Sequence, residues 1–517
     1  MADVLSSPLL EEEEEDNDIS NHEVASRENI RLTDLDSIAS FQQLIKESWV
    51  ESKKLWKIAG PAIFSSLCSY SILLITSICA GHLGNVELAA VSIQGSVIGL
   101  LAFGLLLGMG SALETLCGQA VGAGKLQMLG VYLQRSWLIL LGTSVLLSFI
   151  YIFATPILKL LGQEDDVADL AGEFALWMLP QLFLYSLYFP MQKFLQAQSK
   201  LMAMAWIALV TLIIHAFLSW LLIFELGLGL VGAAITLHIS WSLIDISQFL
   251  YIVYFFPDTW KGFSWLAFHD LWPFIRLSVA SGVMLCLEIW YMMSLIIMTG
   301  NLKNATIEID ALSICMNLNA WEAMIFIGFN AAISVRVSNE LGAGHPKAAK
   351  FAVLIVVLTS LSIGLICMAI ILATKNDFAV LFTSSEVVMK AVSTMAMLLG
   401  VTMLLNSVQP VLSGVAVGGG WQSLIAYVNV GSYYCFGLPL GLLMGYKFDL
   451  GAKGIWTGMI CGTALQTLIL LLITYFTNWN REAAQAEDRM RIWGGSVEAN
   501  TNRSLKGEEN VEYENIP

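Results

Sequence analysis

Two stretches of this chain, Cys117-Gly118-Gln119-Ala120-Val121-Gly122-Ala123-Gly124-Lys125 and Val337-Ser338-Asn339-Glu340-Leu341-Gly342-Ala343-Gly344-His345, carry the same Gly-Ala-Gly sequence 220 residues apart. Each follows one long apolar segment and precedes another. The spacing recurs: Leu55-Trp56 returns as Leu271-Trp272, Gly81-His82-Leu83 as Gly300-Asn301-Leu302, and Leu228-Gly229-Leu230-Val231-Gly232 as Leu450-Gly451-Ala452-Lys453-Gly454, at offsets of 216, 219 and 222. A repeat of this length requires two similar halves, and a cleft between related halves is a common place for a carried solute.

The halves lie in a bilayer. Hydrophobic residues make up 57% of the chain and charged residues 13%, where an ordinary globular domain carries about 25% charged residues. The net charge of −15 belongs to the ends: residues 1–40 hold twelve acids and two bases, and residues 482–517 eight acids and four bases. The remaining core is close to neutral, so a basic nucleic-acid-binding surface is excluded. Tails of this composition, with an acidic run from Glu11 to Asp16, lack the apolar area to offset ordering entropy and are expected to be disordered. No charged start, apolar core and cleavage site opens the sequence, so no cleaved signal peptide is expected. All eight cysteines fall in apolar segments without a C-x-x-C pair, which reads as packing and not as a disulfide or metal framework.

A membrane-crossing helix needs about 20 mostly apolar residues. Twelve segments qualify: 56–80, 89–113, 127–155, 169–190, 202–224, 231–256, 272–299, 310–334, 348–373, 389–413, 423–446 and 453–477, with the second and eighth expected to run on beyond the bilayer. The expected fold is an all-α polytopic membrane protein of two six-helix lobes related by a pseudo-two-fold axis along the membrane normal. Residues 46–258 form the first lobe and 259–480 the second, with tails at 1–45 and 481–517. An even number of spans per half makes the repeats parallel. Sixteen lysines and arginines near helix ends fall on the side of the N-terminal flank and six on the other, so both tails are expected to be cytoplasmic. Asn304-Ala305-Thr306 is then a glycosylation sequon on the far side, close to the membrane.

An ATP-driven pump would need a phosphate-cradling loop. Gly118 to Leu126 only superficially matches that pattern, because position 123 is Ala and Lys125 is followed by Leu. An ion gradient, or the solute's own gradient, must supply the driving force. The Gly-Ala-Gly glycines have a plainer use in letting the backbone turn where a loop joins two helices.

Ionisable groups at membrane depth are the sharper signal, since each costs about 2.5–3.5 kcal/mol to insert and so usually faces a cavity. Glu288, between Leu287 and Ile289, lies about 12 residues from either end of its segment. Desolvation there disfavours the carboxylate, so the group is placed to take up a proton on one side and release it on the other. Asn317, Asn319, Glu322 and Asn330 on the eighth segment, with Asn406 and Gln409 on the tenth, are candidates to line one cavity with it. A spacing of three puts Asn319 with Glu322, and Asn406 with Gln409, on one helix face. Interhelical hydrogen bonding is the plainer alternative. Tyr291, with Trp290, Trp321 and Tyr185, offers aromatic faces to a planar or cationic solute. His215, His238 and Asp245 in the first half read as packing or hydrogen-bonded residues. Pro61, Pro180, Pro190, Pro410 and Pro439 mark places where a helix can kink. No cluster has metal-ligand spacing and no nucleophile–base pair is visible, so neither a cofactor nor enzymatic chemistry is expected.

Four segments are familiar in combination: Ala112-Leu113-Glu114-Thr115-Leu116-Cys117-Gly118-Gln119-Ala120; Pro190-Met191-Gln192-Lys193-Phe194-Leu195-Gln196-Ala197-Gln198; Ala332-Ile333-Ser334-Val335-Arg336-Val337-Ser338-Asn339-Glu340-Leu341-Gly342-Ala343-Gly344; and Leu412-Ser413-Gly414-Val415-Ala416-Val417-Gly418. In this order they resemble the multidrug and toxic compound extrusion (MATE) family in its plant DETOXIFICATION branch, over about residues 50–480. The resemblance implies a V-shaped central cleft and cation-coupled antiport of organic solutes, with protons the usual coupling ion in plants. It also implies that Glu288, in Leu285-Cys286-Leu287-Glu288-Ile289-Trp290, is the cation-binding acid of the seventh helix. Several plant members carry an aspartate where this chain has Asn406, as in the subset with flavonoid carriers of the vacuolar membrane. That leaves Glu288 as the main titrating group, with Glu322 the candidate second acid.

The sequence therefore reads as a monomeric, proton-coupled antiporter of a flavonoid, other secondary metabolite or xenobiotic, in the vacuolar membrane with the plasma membrane as alternative. Pro8-Leu9-Leu10 is similar to a dileucine sorting signal without its usual upstream acid. A uniporter or anion-conducting channel on the same scaffold is the rival, and a lipid-modifying membrane enzyme a more distant one.

Overall fold

The computed structural model describes residues 34–35, 40–269, 271–300, 302 and 305–491. The sequon asparagine and Pro8-Leu9-Leu10 lie outside them. The first lobe contains α1 (Phe41–Leu83), α2 (Asn85–Gly122), α3 (Leu126–Ile152), α4 (Asp165–Trp177 with Leu179–Ala197), α5 (Leu201–Glu225) and α6 (Gly229–Phe255). The second contains α7 (Leu271–Gly300), α8 (Ala305–Gly342), α9 (Pro346–Ala373), α10 (Glu386–Gly419), α11 (422–447) and α12 (Gly451–Phe476). Ten of these are long and apolar enough to cross a membrane unaided; α4 is a pair bent by 49°, and α11 is a run of short segments.

Both irregular helices have a proline cause. Pro180 cannot donate to the carbonyl four residues before it, and the chain bends at Met178 just ahead of it. In α11 the turns widen over Val430–Gly437 and again over Leu443–Lys447, on either side of Pro439. The duplication is visible in the backbone: Gly124 and Gly344 turn at φ of 74° and 77°, and Gly229 and Gly451 open the sixth helix of each lobe at 54° and 59°.

As expected, α2 and α8 run past the bilayer. At 38 residues each, they reach about 57 Å against a hydrocarbon core of about 30 Å. They meet where the Gly-Ala-Gly segments lie. A Cβ on Gly122 would run into the Asn339 carbonyl oxygen and one on Gly342 into the Gln119 carbonyl oxygen. The first glycine of each motif thus allows close approach of the lobes, whereas the second makes the turn that the sequence predicts for both.

One hydrophobic cluster draws on both lobes at this end, including Leu116, Phe194, Phe329, Val337 and Val411. Two others stay within a single lobe each, around Trp241 in the first and Trp456 in the second. Polar contacts between lobes follow the same pattern. Gln119 donates to the Gly418 carbonyl (3.3 Å), Gln422 to Thr115 (2.8 Å) and Asn339 to the Ala197 carbonyl (3.3 Å). The Arg336 guanidinium on α8 grips both oxygens of Glu51 on α1 at 2.8 and 3.1 Å and also meets Glu340 at 2.6 Å. The lobes are sealed at the Gly-Ala-Gly end.

Residues 479–491, most of which fall in the stretch expected to be a disordered tail, form a helix under that seal. Its apolar stripe of Trp479, Ala483, Ala486 and Met490 is buried in the shared cluster. Trp421 donates to Glu482 at 2.8 Å, and Arg489 donates to the Gly419 carbonyl at 3.0 Å. Burial there lowers the Arg489 pKa from its usual value. Asp34, also expected in a tail, accepts from the backbone of Lys347 and Ala348 at 3.1 and 3.0 Å and so caps α9.

Candidate functional site

Glu288 sits midway along α7, partly exposed, on the wall of the second lobe. Its Oε1 accepts from Gln409 Nε2 (3.2 Å) and Ser413 Oγ (3.3 Å) on α10 and from Asn429 Nδ2 (3.3 Å) on α11. Gln409 and Ser413 are one turn apart and bonded to each other at 3.2 Å, so a single helix face presents both. Asn429 also donates to the Met284 carbonyl (3.2 Å) and accepts from Gln466 of α12 (3.2 Å). The carboxyl is therefore the meeting point of four helices. All its partners are neutral: burial disfavours the anion and three donors favour it, which allows the group to exist in either form.

Gln409 is the one sequence candidate that bonds Glu288 directly. Ser413, Asn429 and Gln466 complete the network. Ser413 was legible in principle, being four residues after Gln409 in a quoted motif; a lone Asn in an apolar segment gives no such signal.

The remaining candidates are dispersed. Asn406 donates to Asn319 at 3.0 Å, joining α10 to α8, and lines a cavity of about 20 Å³ with Thr402, Trp456 and Thr463. Asn330 donates to the Pro410 carbonyl at 2.7 Å, and the exposed Asn317 to the Ser313 carbonyl of its own helix at 2.9 Å. Trp321 is exposed and packs edge-on against Tyr70 of α1, with ring centres 5.2 Å apart, so it faces the space between lobes. Tyr291 does not. Its ring is fully buried, stacked on Tyr433 at 4.2 Å, and its hydroxyl donates to the Met459 carbonyl at 2.8 Å, leaving no face for a solute.

Glu322 is also placed differently from expectation. It is buried on α8, and neither carboxylate oxygen has a hydrogen-bond partner among the described residues. Its electrostatic neighbour is Cys367 on α9. The two acids thus occupy separate places in the second lobe, because the donors that Glu288 attracts come from α10 and α11.

In the first lobe His215 joins Thr76 (3.2 Å) to Ser240 (2.9 Å), as a hydrogen-bonded packing residue should. Lys193 pairs with the buried Glu114 at 2.7 Å. Asp245 is buried on α6 with both oxygens unpartnered among the described residues, which a packing role does not explain. Among the described residues no group of three His, Cys, Asp or Glu side chains is placed to hold a metal ion. Cys435 is exposed, so the core-packing reading does not extend to it.

Two helical lobes, sealed at one end and carrying an intramembrane acid, have counterparts among known proteins. The MatE family model matches residues 61–221 and 280–443, one stretch in each lobe. This chain belongs to the MATE family. Protein DETOXIFICATION 34 of Arabidopsis thaliana is 57% identical over 90% of this chain and 86% of its own length, and Protein DETOXIFICATION 33 of the same organism is 59% identical over 88% and 94%. The crystal structure of the eukaryotic MATE transporter AtDTX14 matches with a TM-score of 0.81 at 36% identity, covering 86% of this chain and 99% of that one. The Vibrio cholerae MATE transporter VcmN, in its bent form, shares the fold with a TM-score of 0.71 at 19% identity, over 87% and 99%. The chain is an integral membrane transporter of the MATE family, not an enzyme.

Proposed function

We propose that this MATE transporter is a proton-coupled antiporter that exports an organic solute, a secondary metabolite or xenobiotic, from the cytosol, and that Glu288 is the group exchanging the proton. The observation that carries this reading is the partly exposed Glu288 carboxyl held by three neutral donors on two other helices. Protonation removes the charge those donors serve, so Gln409, Ser413 and Asn429 lose their common acceptor and α7 is released from α10 and α11. Deprotonation restores the junction. A gradient of two pH units supplies about 2.7 kcal/mol per proton, or roughly a hundredfold accumulation at one-to-one exchange.

The positive-inside bias places the sealed end in the cytosol. The conformation described here is then open away from the cytosol, and loading requires the Arg336–Glu51 contact to part. The vacuolar membrane is the preferred location, and the DETOXIFICATION names of the relatives fit removal of unwanted compounds. A single chain contains both lobes, so the monomer suffices.

The test is to seal purified protein into vesicles with an acidic interior and follow internal pH while flavonoid glycosides, alkaloid-like cations or chloride are offered outside. Solute-dependent proton efflux identifies the antiporter and its substrate class. Steady currents far above carrier turnover would replace the reading with a channel.

A further inference from the structure

The geometry points to a second proton-binding site, in the first lobe, with Asp245 as its carboxyl. The duplication locates it. At the offset of 219 that relates Gly81 to Gly300, Glu288 corresponds to Ser69 on α1. Pro190 and Pro410, 220 apart, place Tyr188 within one residue of the counterpart of Gln409. The offset of 222 at Gly229 and Gly451 places Asp245 within one residue of the counterpart of Gln466.

Those three first-lobe residues come together. Tyr188 is hydrogen-bonded with Ser69 and lies within electrostatic reach of Asp245, and its ring meets Trp241, one turn before Asp245 on α6, at 5.0 Å. Both lobes therefore have a polar junction of their first, fourth and sixth helices. The acid enters from the first helix in the second lobe and from the sixth helix in the first lobe.

The surroundings of Asp245 specify a proton and not a fixed ion pair. Only 5% of its surface is exposed, and neither oxygen has a partner among the described residues. Trp241 Nε1, Gln248 Oε1 and His238 Nε2 on the same helix are likewise buried without partners. From α4 the titratable groups are Tyr188 and Tyr185, the latter held by Gln181 at 2.6 Å, while the cation Lys193 is taken by Glu114. His215 on α5 bonds Ser240 and Thr76, and α1 contributes Cys68, Tyr70 and Cys79. Among the described residues none of the lysines, arginines or histidines forms an ion pair with Asp245. An ionised carboxylate here would have nothing in place of the water it gave up, so the carboxyl is neutral in this conformation and ionises when a rearrangement of α6 admits water or a donor.

The inference takes from the proposed antiport only that protons drive the cycle. Full-length protein in lipid vesicles would be followed by infrared difference spectroscopy while pH is stepped, for wild type, D245N, D245E and E288Q, with thermal unfolding as a check on folding. The expected result is a protonated-carboxyl band lost in D245N, shifted in D245E and retained in E288Q. The pH dependence of solute flux in D245N is expected to fall in steepness from about two protons to about one. A folded D245N that keeps the band and the steepness overturns the site; if D245N does not fold, a D245E spectrum identical to wild type does so. Solute flux in wild type that ignores pH would defeat the antiport reading, and the infrared comparison would still decide Asp245.

Discussion

The two lobes share a backbone plan and differ in how they hold their acids. In the second lobe Glu288 has three donors within 3.3 Å and partial exposure. In the first lobe Asp245 is buried without a hydrogen-bond partner among the described residues, and the position matching Glu288 is Ser69. The turns that define the repeat survive in both, at Gly124 and Gly344 and at Gly229 and Gly451. Duplication has kept the geometry that lets the lobes pack and has left side-chain chemistry free to diverge. One lobe is thereby suited to exchange a proton through a polar network, the other to hold one in an apolar setting.

The comparison is sharpened most by the contact the lobes make symmetrically. Gly342→Val should prevent the sealed end from closing, since the new side chain meets the Gln119 backbone. Transport should be lost almost completely while the protein still folds, and Cys117, buried at the seal, should react with a membrane-impermeant thiol reagent. Gly122→Val should do the same from the other lobe. Arg336→Ala comes next: it leaves Glu51 and Glu340 buried without their guanidinium, at a cost of about 3–5 kcal/mol for a broken buried pair. Cys117 labelling again reads the shift towards the open seal.

Asn429→Ala removes a donor shared by Glu288 and the Met284 carbonyl, and leaves Gln466 without an acceptor. A loss of about 1–3 kcal/mol is expected, measured as a fall in proton-driven uptake, with a smaller fall for Ser413→Ala because Gln409 remains. The smallest effect tests the C-terminal helix. Glu482→Ala removes one bond to Trp421 and should cost about 1 kcal/mol, seen as a small drop in the unfolding temperature with transport retained.

Much of the architecture was legible because membrane helices announce themselves by length and hydropathy, and because the repeat offsets tie one lobe to the other. The bend at Met178 and the widened turns around Pro439 follow from prolines visible in the sequence, although which prolines would distort their helices was not. The helix at 479–491 was hidden by its charge: its apolar stripe is four residues wide and acquires meaning only against the surface formed by the seal. Glu288 was legible as a lone acid at mid-membrane depth. Asn429 and Gln466 were not, since polar residues in apolar segments are equally suited to tying any two helices together. Tyr291 and Glu322 show the same gap from the other side: residue type and depth do not say which way a helix face points, and both turn into the lobe.

The most direct test of the account is proton-driven solute uptake in sealed vesicles, wild type against Glu288→Gln, at matched protein orientation and with a two-unit pH gradient. The account predicts that the wild type accumulates solute by up to roughly a hundredfold, while E288Q, which preserves shape but cannot exchange a proton, only equilibrates it. Gradient-driven accumulation in E288Q equal to wild type would contradict the role assigned to Glu288 and, with it, the proposed mechanism.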